Sequence, residues 1–320
     1  VLFCAMSTRG PFLSTSSAAP TRSTSSEFVL GSTAACLACV LSNPFEVVKT
    51  RTQVQGELAQ AGSRRVYGNA FSALIVLAKA EGLHGVQKGL VPGLGYQIGL
   101  NGVRFGCFPI VRHKYVEAGV PGGTWLAGAT VGMLGGALGM PFYLVKCRMQ
   151  TRTSNAATAV GYQHTKYEGV AGAFRAIVHS NGIGGLYRGV DAMVMRVGMG
   201  SSVQLPVFTL TKEAILDRWP QARDWPILVS FVSSMLAGAG AVTVMNPWDV
   251  VTTRMCNQPE DGSVYRSSFD CLRKTYVAEG LAGFAKGWWA HWFRLGPHTT
   301  YCFVFLEALK VAADRAGVLQ

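Results

Sequence analysis

Apolar stretches of 25 to 30 residues alternate along the chain with shorter polar segments. Three of them, at roughly 27–53, 124–151 and 226–256, run into a polar motif built on a proline, and three more occupy 89–116, 189–216 and 287–314. Each is long enough to cross a hydrocarbon layer of about 30 Å as a somewhat tilted helix. Between the two stretches of each set, a polar loop carrying Tyr67-Gly68, Tyr167-Glu-Gly169 or Tyr265-Arg266 leads into about ten residues of helical periodicity. In the first of these, Ala70 to Lys79, the residues Phe71, Leu74, Ile75 and Ala78 share one face, the pattern of a helix lying in the membrane interface. The prediction is an all-α membrane protein of six transmembrane helices in three pseudo-symmetric repeats, each with a short interfacial helix.

The repeats are written in the polar residues as well. Pro44-Phe-Glu-Val-Val-Lys-Thr-Arg51, Pro141-Phe-Tyr-Leu-Val-Lys-Cys-Arg148 and Pro247-Trp-Asp-Val-Val-Thr-Thr-Arg254 are one motif, recurring after 97 and 106 residues. A second motif keeps step with it: Glu81-Gly82 then Lys88-Gly89, Asn181-Gly182 then Arg188-Gly189, and Glu279-Gly280 then Lys286-Gly287. The repeats divide the chain at 27–120, 121–220 and 221–320. A proline inside a helix removes one backbone hydrogen bond, so Pro44, Pro141 and Pro247 should bend the odd helices near their ends. Gly128, Gly132, Gly135, Gly136 and Gly139 should let neighbouring backbones approach the third helix closely.

Composition narrows the function. Only 14% of residues are charged and 38 are glycine, as suits closely packed membrane helices, and the formal net charge of +12 asks for an anionic partner. Nucleic acid is not that partner, because Lys and Arg recur at helix ends instead of forming one patch with stacking aromatics. Eight cysteines are too sparse for a disulfide framework. Cys36 and Cys39 form the one CxxC, within an apolar run where packing is the expected role. No phosphate loop or dinucleotide turn is completed, so no cofactor and no metal is expected. The first 26 residues are rich in Ser and Thr and carry no acid before Glu27, the composition of a transit-type leader, and are expected to be disordered.

Taken together, the threefold Pro-x-acid-x-x-base-x-base motif, its Gly-flanked companions and the six-helix plan resemble the mitochondrial carrier family over residues 27 to 314. The stretches from Tyr96 to Arg104, Gly200 to Pro206, Met245 to Asp249 and Phe293 to Thr299 are similar to its oxaloacetate-transporting branch. The resemblance implies a threefold bundle in the inner mitochondrial membrane, both termini toward the intermembrane space, a central site reached alternately from each side, and cardiolipin at the helix starts. A monomer is expected.

The resemblance also implies gates. On the matrix side the acid of one Pro motif pairs with the base of the next, which by position gives Glu46 with Lys146 and Asp249 with Lys49. The third pair would be Tyr143 with Thr252, which carry no charge. Gln53 and Gln150, four residues beyond Lys49 and Lys146, are expected to brace those pairs. On the cytosolic side the family's second motif leaves Glu307 with Arg112 as the one complete pair, with Lys212 and Lys310 as the remaining bases.

Between the gates, Arg196 and Arg294 each lie seven residues after the glycine that opens their helix, hence at one depth, while Gln97, Asn101 and Arg104 share a face at i, i+4 and i+7. An arginine inside a membrane helix costs about 2.5 to 3.5 kcal/mol, so three of them mark a polar cavity or a substrate path. Guanidinium groups grip carboxylate and sulfate oxygens, and Gln97, Asn101, Gln204 and His298 can donate to a keto or hydroxyl oxygen. The expected cargo is oxaloacetate or another small dianion, with malate, malonate and sulfate undistinguished by these residues, transported without any bond being made or broken. An oxoglutarate or dicarboxylate carrier and a degenerate carrier serving as a scaffold are the alternatives. His84, His113, His164, His179 and His291 are expected to be solvated, Met193, Met195 and Met199 to pack, and Trp288, Trp289 and Trp292 to form an interfacial belt.

Overall fold

The computed structural model describes residues 24–57, 66–164, 167 and 169–316. The leader expected over residues 1–26 lies outside them except for its last three residues, which already belong to the first helix. The described chain forms nine α-helices and no strand: α1 (Thr24–Val54), α2 (Ala70–Val86), α3 (Leu90–Glu117), α4 (Gly123–Thr151), α5 (Gly169–Asn181), α6 (Val190–Arg218), α7 (Pro226–Asn257), α8 (Ser268–Phe284) and α9 (Trp288–Ala316). The six long ones pack in the closed order α1, α3, α4, α6, α7, α9 and back to α1.

Hydropathy alone recovers only half of this bundle. Val29–Val54, Trp125–Thr151 and Pro226–Asn257 are apolar enough to read as spans, with mean hydropathy of 1.2, 1.4 and 2.0. The even helices α3, α6 and α9 fall short because they carry more polar and charged side chains, Gln97, Asn101 and Arg104, Arg196 and Gln204, and Arg294 and His298 among them. Each odd helix contains its motif proline in its interior.

The glycines of α4 serve two interfaces. A methyl group on Gly135 or Gly139 would lie 2.8 Å from the Leu100 carbonyl oxygen or the Tyr96 ring of α3, whereas one on Gly132 or Gly136 would meet Val197 of α6 at 3.2 Å. Close approach through missing side chains thus joins α4 to both flanking helices.

The interfacial helices are longer than their periodicity predicts. Asn69 and Ser267 cap α2 and α8, accepting from the backbone N–H of Ser72 and Asp270. At Gly82 and Gly280 the backbone turns to φ 65° and 64°, and helix resumes beyond the bend, giving 17 residues in place of about ten. The glycine that opens each even helix is also left-handed, with φ of 71°, 80° and 75° at Gly89, Gly189 and Gly287. There a Cβ would stand within 3.0 Å of Gln150, Met255 and Gln53 respectively, each on the odd helix of the next repeat. The Lys/Arg-Gly motif therefore locks neighbouring repeats around the ring.

Candidate functional site

The three Pro motifs converge at one end of the bundle, where their charged residues are buried. Lys146 Nζ lies 2.5 Å from Glu46 Oε1, and Lys49 Nζ lies 2.7 and 2.9 Å from the two oxygens of Asp249. At the third position Thr252 donates to the Trp248 carbonyl of its own helix, and Tyr143 lays its ring under Arg196, 5.2 Å from centroid to guanidinium carbon. Gln53 braces its pair, donating from Nε2 to Asp249 Oδ2 at 2.6 Å. The brace expected of Gln150 is not made: its Oε1 accepts from Thr50 at 2.7 Å and its Nε2 faces Asn43, so it ties α4 to α1 beside the Glu46–Lys146 pair instead of through it.

Outside this layer runs a ring that spacing alone did not announce. The last arginine of each motif donates its Nε–H to a backbone carbonyl of the next repeat: Arg51 to Gln150, Arg148 to Cys256 and Arg254 to Gln53. Arg51 and Arg254 then close a bidentate pair with the acid of their own repeat, Glu81 and Glu279, which Lys88 and Lys286 also bind. Burial raises the Glu81 carboxyl, yet the hydrogen bonds from Arg51 and Lys88 prevail and hold it down at about 2.

Glu57, just past α1, behaves in the opposite way. Burial pushes its carboxyl up to about 7, opposed by the positive charges of Arg254 and Lys286, and Glu279 adds to the rise. The folded protein holds this proton where an unfolded chain has lost it, so the stabilisation is complete below the ordinary value of 4.5 and is lost as pH rises through about 7. Thermal unfolding curves of wild type and Glu57→Gln are expected to coincide at the acid end of that window and to separate above it, with the variant the more stable.

Two histidines expected in solvent are buried. His164 stacks on Tyr167 with ring centroids 5.4 Å apart and shares a hydrogen bond with the Asn257 carbonyl. Burial, with Arg148 nearby, holds its pKa down at about 3, so the ring is neutral. His291 is 0% exposed, its Nδ1 3.2 Å from Asn246 Oδ1 and 3.4 Å from Asp249 Oδ2. Its place near a helix start misled because Asn246, the residue before Pro247, reaches across to the Phe284 and Lys286 carbonyls and draws the start of α9 inward.

Away from the Pro-motif end the helices enclose a cavity of about 1130 Å³ including its mouth. All seven side chains expected there line it: Gln97, Asn101 and Arg104 from α3, Arg196 and Gln204 from α6, Arg294 and His298 from α9. Their partners differ from expectation. Arg196 and Arg294 have no acid near them in sequence, yet Arg196 Nη1 bonds Asp249 Oδ1 at 3.1 Å and Arg294 Nε stands 3.1 Å from Glu46 Oε1. The motif acids thus bind a base of the next repeat and a cavity arginine at once. Tyr96 accepts from the other arm of Arg196 at 2.9 Å.

Arg104 makes no ion pair among the described residues. Its Nη2 reaches Ser201 at 3.4 Å, and its Nε–H is buried without an acceptor. His298 bridges Ser42 and Gln97, each at 3.0 Å. Because the Gln97 amide nitrogen can only donate, His298 Nε2 accepts and Nδ1 carries the proton toward Ser42. At the open end Arg112 and Glu307 are exposed, and Lys212 and Lys310 are half-buried.

The sequence profile described as "Mitochondrial carrier protein" matches residues 20–119, 120–219 and 224–315. The chain belongs to the mitochondrial carrier family. Among its relatives are the "Mitochondrial oxaloacetate transport protein" of Saccharomyces cerevisiae, 40% identical over 88% of this chain and 87% of its own, and "Solute carrier family 25 member 35" of Homo sapiens, 40% identical over 89% and 97%. The "Mitochondrial citrate transporter E" of Aspergillus niger is 38% identical over 86% and 89%. The carrier is accordingly a multi-pass transporter of the inner mitochondrial membrane and not an enzyme.

Proposed function

We propose that this carrier moves oxaloacetate and related small dianions, sulfate and malonate among them, by alternating access. The Pro-motif end is the matrix gate, formed by Glu46, Lys49, Lys146 and Asp249 with Gln53, and it is closed in this conformation. Arg112 and Glu307, with Lys212 and Lys310 nearby, form the cytosolic gate, which is open. Cardiolipin sits at the helix starts, the protein works as a monomer, and both termini face the intermembrane space.

The observation that carries the anion reading is the charge of the cavity. Three arginines line it, and the carboxylates that reach them, Asp249 and Glu46, belong to the matrix gate. Arg104 is left as an uncompensated cation, and a dianion entering from the open end meets it first. Deeper in, the substrate's two carboxylates take over Arg196 and Arg294, whose hold on Asp249 and Glu46 is thereby released. The gate acids then keep Lys49 and Lys146, with Gln53 still on Asp249, and the loss of the arginines weakens the closure that blocks the substrate's exit. Gln97, Asn101 and Gln204 supply donors for the keto oxygen, and His298, whose one N–H is turned to Ser42, holds Gln97 in place at the site.

Uptake of labelled oxaloacetate into liposomes holding the purified protein, competed by sulfate, malonate, oxoglutarate, citrate and phosphate, tests the substrate. Saturable uptake inhibited by sulfate and malonate is the expected result. Transport of another anion with none of oxaloacetate would remove the substrate assignment, and transport of no anion by folded protein would favour a scaffold.

A further inference from the structure

We infer that Glu260 latches the second repeat to the third at the Pro-motif end, in place of the ion pair that Tyr143 and Thr252 cannot form. The inference rests on the reading of that end as a gate. Two of its three interfaces carry a buried pair, Glu46–Lys146 between repeats one and two and Asp249–Lys49 between repeats three and one. Between repeats two and three the motif positions supply neither charge, and the buried pair that does cross there, Arg196–Asp249, is made by a cavity residue that the substrate is proposed to take over.

The same interface is also the one where the outer ring departs from symmetry. Asn181 stands where the other repeats have Glu81 and Glu279, so Arg148 has no acid at that position of its own repeat. Glu260, thirteen residues after Pro247, comes across instead. Arg148 Nη1 lies 3.8 Å from its carboxylate, and Tyr167, which accepts from Arg148, donates to the same oxygen at 3.0 Å. The backbone is gripped too: Asn181 donates to the Glu260 carbonyl at 2.8 Å, and Arg188 to the Pro259 and Glu260 carbonyls at 2.8 and 3.0 Å. Four side chains of repeat two thus hold two consecutive residues of repeat three.

The difference from Glu81 and Glu279 is mechanical. Those acids take their arginine and lysine from their own repeat, with one long contact at 3.5 Å from Thr158 to Glu81 reaching across, and these charged bonds travel with the repeat when the motif ends part. The bonds to residues 259–260 cross the interface and must break. Glu260 is therefore a positioning residue for closure, one layer outside the place where the missing pair would sit.

Cys147 and Cys256, buried at this interface on α4 and α7, report its opening, and Cys39, buried on α1 in the first repeat, reports general loosening. Alkylation of each by N-ethylmaleimide in proteoliposomes is followed by mass spectrometry. Glu260→Gln is expected to speed labelling of Cys147 and Cys256 several-fold and leave Cys39 unchanged. Adding Asn181→Glu restores an acid to Arg148 within its own repeat but no bond across the interface, so labelling should stay fast. A return to the wild-type rate would show that Glu260 only neutralises Arg148 and would overturn the latch, as would equal acceleration at all three cysteines or none at any. Tyr167→Phe removes one crossing bond while keeping the charges, and is expected to shift labelling in the same direction by less; no shift would count against the latch even if Glu260→Gln fails to fold. Labelling requires no transported anion, so this result and the substrate assignment stand or fall separately.

Discussion

Replacing Arg196 by Ala is expected to lower saturable oxaloacetate uptake by at least about a hundredfold, from charge-assisted hydrogen bonds worth about 1.5 to 3 kcal/mol each and 1.4 kcal/mol per tenfold. Arg196 stands 4% exposed between Asp249 and Tyr96, with both arms aimed, so a carboxylate displacing Asp249 finds a guanidinium already oriented. The variant should still fold, because Asp249 keeps Lys49 and Gln53. Arg196→Lys keeps the charge but loses the two-armed geometry, and an intermediate rate is expected. Wild-type uptake by Arg196→Ala in the liposome assay would show that the substrate does not use this residue.

Asp249→Asn is expected to be the most damaging change to the gate. Its carboxylate collects Lys49, Arg196, Gln53 and the nearby His291, all without solvent. An amide of the same shape leaves two buried cations without their acid, and breaking a buried pair in this way costs about 3 to 5 kcal/mol. In detergent the unfolding midpoint should fall by about 5 to 7 °C, taking about 1.5 °C per kcal/mol for 320 residues. Thr252→Ala, at the equivalent depth of the uncharged interface, removes only a hydroxyl bonded within its own helix and should leave the midpoint nearly unchanged. Equal effects from the two substitutions would contradict the assignment of the closure to the ion pairs.

What the chain displays openly is what repeats. Prolines, motif acids and flanking glycines recur in step, so the six helices could be read from the sequence; the pairs Glu46–Lys146 and Asp249–Lys49 followed from the family resemblance that those repeats carry, and the seven cavity residues from polar side chains placed along the even helices. What stays hidden depends on unlike partners from different repeats. The acids on Arg196 and Arg294 lie 53 and 248 residues away, and neither helical spacing nor the motif's own pairing rule connects them. His291 looked solvated because nothing local signals that Asn246 draws it under α7. Glu57 and Glu260 each stand thirteen residues beyond a motif proline, a correspondence that could have been found by extending the repeat alignment past the last arginine. Gln150 misled for the converse reason: it matches Gln53 in position, but its amide is taken by Thr50 and Asn43.

The central claim is that the cavity binds a dianion through Arg196 and Arg294. Cys302 lines that cavity half-buried, with its sulfur 3.5 Å from His298 Nε2. Its maleimide labelling in proteoliposomes, with and without oxaloacetate or sulfate, tests the claim most directly. Either anion is expected to slow labelling of the wild type and to have no effect on Arg196→Ala or Arg294→Ala. Labelling that no anion slows, or protection that persists in both variants, would contradict it.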